Sequence, residues 1–174
     1  MDRVDATKRS AIMRSVRSKD TKPELALRSA LHALGLRYRL HAKDMPGRPD
    51  IVFPKWRACL FVHGCFWHRH GCSMTTTPRS NAEFWQAKFV ANVIRDGRAN
   101  EALANQGWRV FTVWQCGITG RGKVESCARF VRTWLAGDDR LGEYPPGGEP
   151  RQFQLKMGDR KSLSDLSGPR TVLR

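Results

Sequence analysis

Within ten residues, His63 to Cys72, the chain sets three imidazoles, two thiols and two large aromatic rings, in the order HGCFWHRHGC. Cys and His that share a site either ligate a metal or move protons. Cys65, His70 and Cys72 offer three ligands for a tetrahedral zinc ion, and Cys116, just past the end of a later strand pattern, offers the fourth. Three thiolates and one imidazole close such a site against water. Zinc here is therefore a staple that keeps Phe66, Trp67 and His68 on a loop fixed at both ends. The spacing matches none of the common finger patterns, and buried thiols without a metal are the competing reading. A second group joins Asp50 to His63 and His68. A carboxylate beside main-chain carbonyls at strand ends is a hard oxygen site suited to Mg²⁺, and an imidazole not used by zinc can deprotonate a water for in-line attack on phosphorus. Without those neighbours Asp50 reads as an ordinary turn former.

The elements that must position these groups follow from local pattern. Thr21 to Glu24 reads as a capping box with Pro23 in the first turn. Leu27, Ala30, Leu31 and Leu34 then recur at helical spacing up to Gly35, and capping alone accounts for Glu24. Leu36 to His41 alternates as a strand, Gly47-Arg48-Pro49 turns, and Asp50 opens a second strand. Pro54 to Arg57 reverses the chain into the apolar run Ala58 to Val62, which is fit for a central strand. This hairpin delivers the chain into His63 and makes Asp50 a neighbour of the 63–72 loop. Ser80 to Glu83 predicts a second capping box and a helix carrying Phe84, Trp85, Phe89, Val93 and Ile94, with Asp96-Gly97 expected to bend or interrupt it. Trp108 to Trp114 predicts a strand, and Lys123 to Leu135 a helix stopped at Gly137. The order describes an α/β sandwich: a small mixed sheet flanked by helices, its first strands a meander and one added later beside them. Three segments result: a basic N-terminal arm (1–20), one folded domain (21–137) and a Gly-, Pro- and charge-rich tail (138–174) expected to be flexible.

At 174 residues one domain is large enough to bury a core without disulfides. Lys+Arg 31 against Asp+Glu 16 gives a net charge of +15, most of it from Arg. That surplus points to a polyanion, with nucleic acid ahead of an anionic membrane surface because Arg pairs bidentately with phosphate. No apolar run approaches a spanning helix and no signal peptide is evident, so an intracellular protein is expected. The five cysteines are an odd set, and Cys59 and Cys127 read as plain buried thiols.

Taken together, Glu24, GRPD (Gly47 to Asp50), HGCFWHRHGC, Phe84-Trp85 and GWRVFTVWQC (Gly107 to Cys116) make the sequence resemble the Vsr family, the very short patch repair endonucleases, over roughly residues 7 to 137. The resemblance implies a restriction-endonuclease-like α/β core and an enzyme that nicks DNA at T:G mismatches left by deamination of 5-methylcytosine. It implies that Asp50 binds catalytic Mg²⁺ together with the main-chain carbonyl of Val62. By the same resemblance His68 is the general base, Glu24 the acid that orients it, and His63 a supporting histidine near the phosphate. Cys65, His70, Cys72 and Cys116 match structural zinc ligands. Phe66, Trp67 and Trp85 match aromatics inserted beside the mismatch, and Met13 a wedge from the arm. The expected partners are double-stranded DNA carrying a T:G mismatch and proteins of mismatch repair, with a monomeric enzyme and no membrane. Val62 stands where the family has threonine, which is harmless if only the carbonyl is used. Arg69 and Gly71 stand where some relatives have further histidines. Two other readings stay open: the same nuclease with a different target, and a non-catalytic zinc-stapled DNA-binding module, which gives Asp50, His63 and His68 no shared purpose.

Overall fold

The computed structural model describes residues 20–78 and 80–147; the N-terminal arm with Met13 lies outside them, as does the chain from 148 onward. Five strands form one mixed sheet in the order β1-β2-β3-β4-β5. Strands β1 (Arg39–Leu40), β2 (Ile51–Phe53) and β3 (Ala58–His63) make the expected antiparallel meander. Strand β4 (Arg109–Trp114) then adds parallel to β3, with Ala58 opposite Arg109 and His63 opposite Trp114. The first strand is shorter than the alternation from Leu36 to His41 predicts, and it ends where His41 leaves the extended region at φ +49°.

Side chains of β3 alternate between two apolar layers, as the period of a strand requires. Ala58 and Leu60 face Phe111 and Val113 of β4 together with helices α1 (Lys22–Ala33) and α5 (Lys123–Ala136), which bury Leu27, Leu31, Val131 and Leu135. Cys59 and Phe61 face the other way, against Leu103 of helix α3 (Ala82–Asn105). Each such fully buried side chain contributes about 1.5–3 kcal/mol. Two short helices, α2 (Cys65–His68) and α4 (Gln115–Ile118), start where β3 and β4 end.

Three expectations need correction. Helix α3 runs unbroken through Asp96 and Gly97. A mid-helix Gly costs only about 1 kcal/mol, and the buried Phe89, Asn92, Ala99 and Leu103 anchor the helix on both sides of it. The second helix starts one residue later than the Ser80–Glu83 pattern predicts: its N-cap is Asn81, in the left-handed region, with no cap bond from the Asn81 side chain. The tail assignment also fails for its first residues. Leu141–Tyr144 form β5, parallel to β4, and Gly142 packs so closely on Phe111 and Trp134 that a Cβ would lie 2.6 Å from the Phe111 ring.

Candidate active site and metal cluster

Asp50 immediately precedes β2, and its position is fixed by the hairpin. The Val62 N–H donates to Asp50 Oδ2 at 2.7 Å. Burial pushes this carboxyl up to about 6, against the Val62 hydrogen bond, while Glu24 adds repulsion and His41 and Arg28 pull it back. The preceding turn is held tightly: Gly47 has φ +71°, and a Cβ there would meet the Ala99 Cβ at 2.6 Å and the Phe61 ring at 3.1 Å. GRPD thus packs its turn at Gly47 against Ala99 of helix α3 and Phe61 of β3, and ends at Asp50 beside Val62 of the same strand.

One residue beyond Val62, His63 closes β3 with its ring on the Phe61 face of the sheet, 5.5 Å between centroids. The His68 ring, at the end of α2, stacks on it at 3.8 Å and 8°. Burial, with help from the neighbouring His68, pushes the His63 imidazole down to about 3, so His63 stays neutral at working pH. The His68 Nδ1 pairs with Asp96 Oδ2. Burial would raise the Asp96 carboxyl, but the hydrogen bond and charge of His68 outweigh it and hold the group below its usual range. A carboxylate on Nδ1 fixes the ring and leaves Nε2 as the basic nitrogen.

Asp96 escaped the sequence reading because Asp96-Gly97 looked like a helix break. Its signal was available: Phe89, Asn92 and Asp96 recur at helical spacing on one face, and Asn92 Nδ2 donates to the Trp67 carbonyl at 3.1 Å on the same loop. Glu24 lies elsewhere. It is buried on α1, on the opposite face of the sheet from α3, and its carboxylate takes the Arg28 guanidinium one turn along the helix. The capping box is formed, with the Thr21 N–H donating to Glu24 Oε2 at 3.4 Å. Arg28 also reaches Asp20 Oδ1 at 2.6 Å and His41 Nε2 at 2.8 Å. The carboxylate paired with His68 is therefore Asp96, and Glu24 belongs to the group around Arg28.

The Cys/His cluster assembles as its spacing suggests. Ligand atoms of Cys65, His70, Cys72 and Cys116 all lie within 4.8 Å of one another, so together they can hold a metal ion. His70 Nδ1 faces the Cys116 sulfur at 3.3 Å and the Cys65 sulfur at 3.8 Å, and its ring stacks on Trp114 at 4.4 Å. Sheet register brings the distant cysteine in. His63 and Trp114 are paired, and Cys65 and Cys116 each follow two residues later, at the mouths of α2 and α4. Burial pushes Cys65 up to about 12 and raises Cys116, whereas on Cys72 burial is outweighed by bonds from His70 and the Met74 backbone, and that thiol drops to about 6. Cys59 and Cys127 are buried thiols pushed up to about 12 by burial.

From this anchored loop a chain of ring contacts runs outward. Phe66 packs edge-on against Trp67 at 5.0 Å, Trp85 at 5.6 Å and Phe89 at 5.1 Å, and Phe84 meets Trp85 at 5.5 Å. Phe66 and Trp67 are half-buried, Trp85 is only 4% exposed, and Phe84 is 53% exposed. Trp85 therefore braces the others from behind, and Phe84 is the ring that α3 turns to solvent. Arg69 clasps the loop, with its guanidinium over the Phe89 ring at 4.4 Å and its Nη1 and Nη2 donating to the Thr76 carbonyl and Thr77 Oγ1, each at 2.9 Å.

The chain as a whole is similar to known proteins. The family model described as DNA mismatch endonuclease Vsr matches residues 1–74. The type II nicking enzyme V.XorIIP of Xanthomonas oryzae pv. oryzae is 52% identical over 130 residues, 75% of this chain and 96% of its own. The DNA mismatch endonuclease Vsr of Escherichia coli is 40% identical over 136 residues, covering 77% and 87% of the two chains. The type II nicking enzyme V.NmeAIP of Neisseria meningitidis is 39% identical over 127 residues, 72% and 91%. Relatives of this kind, matched over most of their length, make the chain a DNA endonuclease. It belongs to the Vsr family.

Proposed function

We infer that this endonuclease nicks one DNA strand on the 5′ side of the T in a T:G mismatch, the lesion left by deamination of 5-methylcytosine, by Mg²⁺-dependent hydrolysis within a restriction-endonuclease-like core. The observation that carries the reading is the pair of consecutive residues at the end of β3: Val62 holds the Asp50 carboxylate, and His63 stacks on a His68 already paired with Asp96.

The donor set fits Mg²⁺. Asp50 is a partly desolvated carboxylate with one oxygen oriented by Val62 and acceptor capacity to spare. The N–H and C=O of a strand residue face the same neighbour, so the Val62 carbonyl turns toward the Asp50 side, and valine serves as well as threonine there. These oxygens would hold a divalent ion, which would supply charge neutralisation at the phosphate and lower the pKa of a water. His68 takes the proton of the attacking water through Nε2, Asp96 holds its ring and stabilises the imidazolium that forms, and neutral His63 keeps the ring in plane without competing for the proton. Glu24 adds a fixed negative charge beside Asp50.

Zinc is the metal the Cys₃His set favours, because soft thiolates with one imidazole complete a tetrahedral site. Phe66 and Trp67, backed by Trp85, are the rings offered to a base step, with Met13 proposed as a wedge from the arm. Unstacking is cheapest at a mismatch, so wedging itself selects the lesion, and the basic surface supplies sequence-independent phosphate affinity. Relatives named as type II nicking enzymes favour a second reading, the same nuclease set to another target sequence.

The test is a Mg²⁺-dependent nicking assay on duplexes that differ only in T:G or C:G at one position, with wild type and Asp50→Asn. Nicking 5′ to the mismatched T, absent in the variant, is expected. DNA binding without cleavage of T:G would move the function to another target.

A further inference from the structure

The Cys/His cluster lacks the hydrogen bond that ordinarily fixes a ligating histidine. His70 turns Nδ1 to the Cys116 sulfur at 3.3 Å and the Cys65 sulfur at 3.8 Å, which leaves Nε2 on the far side of the ring. That atom is buried and has no hydrogen-bond partner among the described residues. Metal-ligating imidazoles usually donate this second N–H to a carboxylate, a carbonyl or water, and the bond sets the rotation of the ring. Here another ring takes that place. Trp114 stacks on His70 at 4.4 Å between centroids and 17° between planes. The indole is itself tethered, since its Nε1–H donates to Glu143 Oε2 at 2.9 Å. Register explains the reach. Glu143 of β5 is opposite Thr112 of β4, and side chains two residues apart on a strand share a face, so Glu143 arrives beside Trp114. The residues that follow press on a second ligand: helix α4 carries Cys116, and a Cβ on the next residue, Gly117, would lie 2.7 Å from the Pro145 ring and 2.9 Å from the Tyr144 ring.

We propose that Glu143 is a positioning residue of the metal cluster: through the Trp114 indole it holds the His70 ring with Nδ1 turned into the cluster. The proposal rests on the zinc reading above and extends that site to β5, a strand beyond the expected domain. The physical argument concerns rotation. For an imidazole whose second nitrogen has no partner, turning about Cβ–Cγ is opposed by packing alone, and the Trp114 face is a plane it packs on. A stacked plane fixes a ring only as well as it is fixed itself. The bond to Glu143 does that for the indole, by tying its one polar atom to the neighbouring strand. This brace is made entirely of protein groups and is in place before an ion arrives, so less ordering accompanies binding.

The experiment is competition for zinc between the full chain and a chromophoric chelator, with circular dichroism to check folding. Glu143→Ala should hold zinc about 10–100-fold more weakly than wild type, the range for losing an outer support of a ligand. Glu143→Gln, whose amide oxygen can accept the same N–H, should recover most of that loss. Trp114→Phe keeps a stacking face but no donor, so it should hold zinc about as weakly as Glu143→Ala, and the double variant no more weakly than either. Glu143→Ala with wild-type affinity would overturn the proposal. So would a further loss when Glu143→Ala is added to Trp114→Phe, because β5 would then act by packing and not through the indole. If Glu143→Ala does not fold, Trp114→Phe still decides, and wild-type affinity in that variant would overturn the proposal. A wild-type chain that takes up no zinc would instead refute the zinc reading, and the proposal with it.

Discussion

Replacing Asp50 by Asn should remove activity and yet make the protein more stable at neutral pH. Burial raises this carboxyl from 3.8 to about 6 in the folded chain. The fold therefore prefers the protonated form, and ionising it costs at most about 3 kcal/mol, at about 1.4 kcal/mol per unit. Below pH 4 both folded and unfolded chains carry the proton and the cost is absent. It grows between about pH 4 and 6, as the unfolded carboxyl ionises first, and is complete above that. Asparagine carries no charge, and its carbonyl can still accept the Val62 N–H that now sits 2.7 Å from Oδ2. In Mg²⁺-free buffer at pH 7.5 the variant should melt higher by about 6–12 °C, at roughly 2–4 °C per kcal/mol for a chain of this size. At pH 4 the two should melt together. Adding Mg²⁺ should raise the wild-type midpoint and leave the variant unmoved, because only a chain that binds the ion gains from it. Thermal melts followed by circular dichroism across pH, with and without Mg²⁺, read all three. A variant no more stable than wild type at pH 7.5 would refute the reasoning, since Asp50 would then not be held in a desolvated setting.

Asp96→Asn should lower the nicking rate by roughly 10²–10⁴-fold with mismatch affinity unchanged, because the amide fixes neither the ring tautomer nor the imidazolium of His68; equal losses of rate and affinity would make Asp96 structural. The Asp96 carboxyl is held below its usual range, so what it adds to stability is present above about pH 4 and is lost as pH falls further. Cys116→Ala should lose the zinc, measured by inductively coupled plasma mass spectrometry on purified protein. Full occupancy in that variant would remove Cys116 from the site.

Local chemistry made the metal cluster and the hairpin legible. Cys65, His70 and Cys72 lie close in sequence, and the strand end before Cys116 is a plain apolar alternation. The capping box at Thr21 was equally visible, and with it a reason for Glu24 that needs no catalysis. Legibility stopped where tertiary context overrode a local rule. Gly97 reads as a breaker, yet nothing lies within 4 Å of where its Cβ would be, so the residue only costs propensity and the packed turns on either side carry the helix past it. That misreading hid Asp96. Strand β5 was lost for a similar reason: LGEY offers few apolar residues, and what holds it is backbone pairing to β4 and the fit of Gly142 on Phe111 and Trp134. Arg28 was half legible, as a residue one turn from Glu24 on the same helix face. That it also gathers Asp20 and His41 depends on two left-handed residues no pattern announces.

The two halves of the site have separate supports, and they meet at one peptide unit. Asp50 is fixed by the β2–β3 hairpin and bordered by the Arg28 group on the α1 side of the sheet. His68 is fixed from the other side, by Asp96 of α3 and by a loop whose ends are tied through Cys65 and Cys116 to the paired strands β3 and β4. Val62 faces the β2 edge and holds the carboxylate. His63, the next residue, turns its ring to the α3 face and holds the base. Alternation along a strand is rigid, so two consecutive residues of a central strand give Asp50 and His68 a common reference: the Val62 N–H for the one and the His63 ring for the other. The rings at Phe66, Trp67 and Phe84 stand apart from that strand, on α2 and at the start of α3. On the proposed reading, such a nuclease can change the sequence it recognises without moving Asp50 or His68.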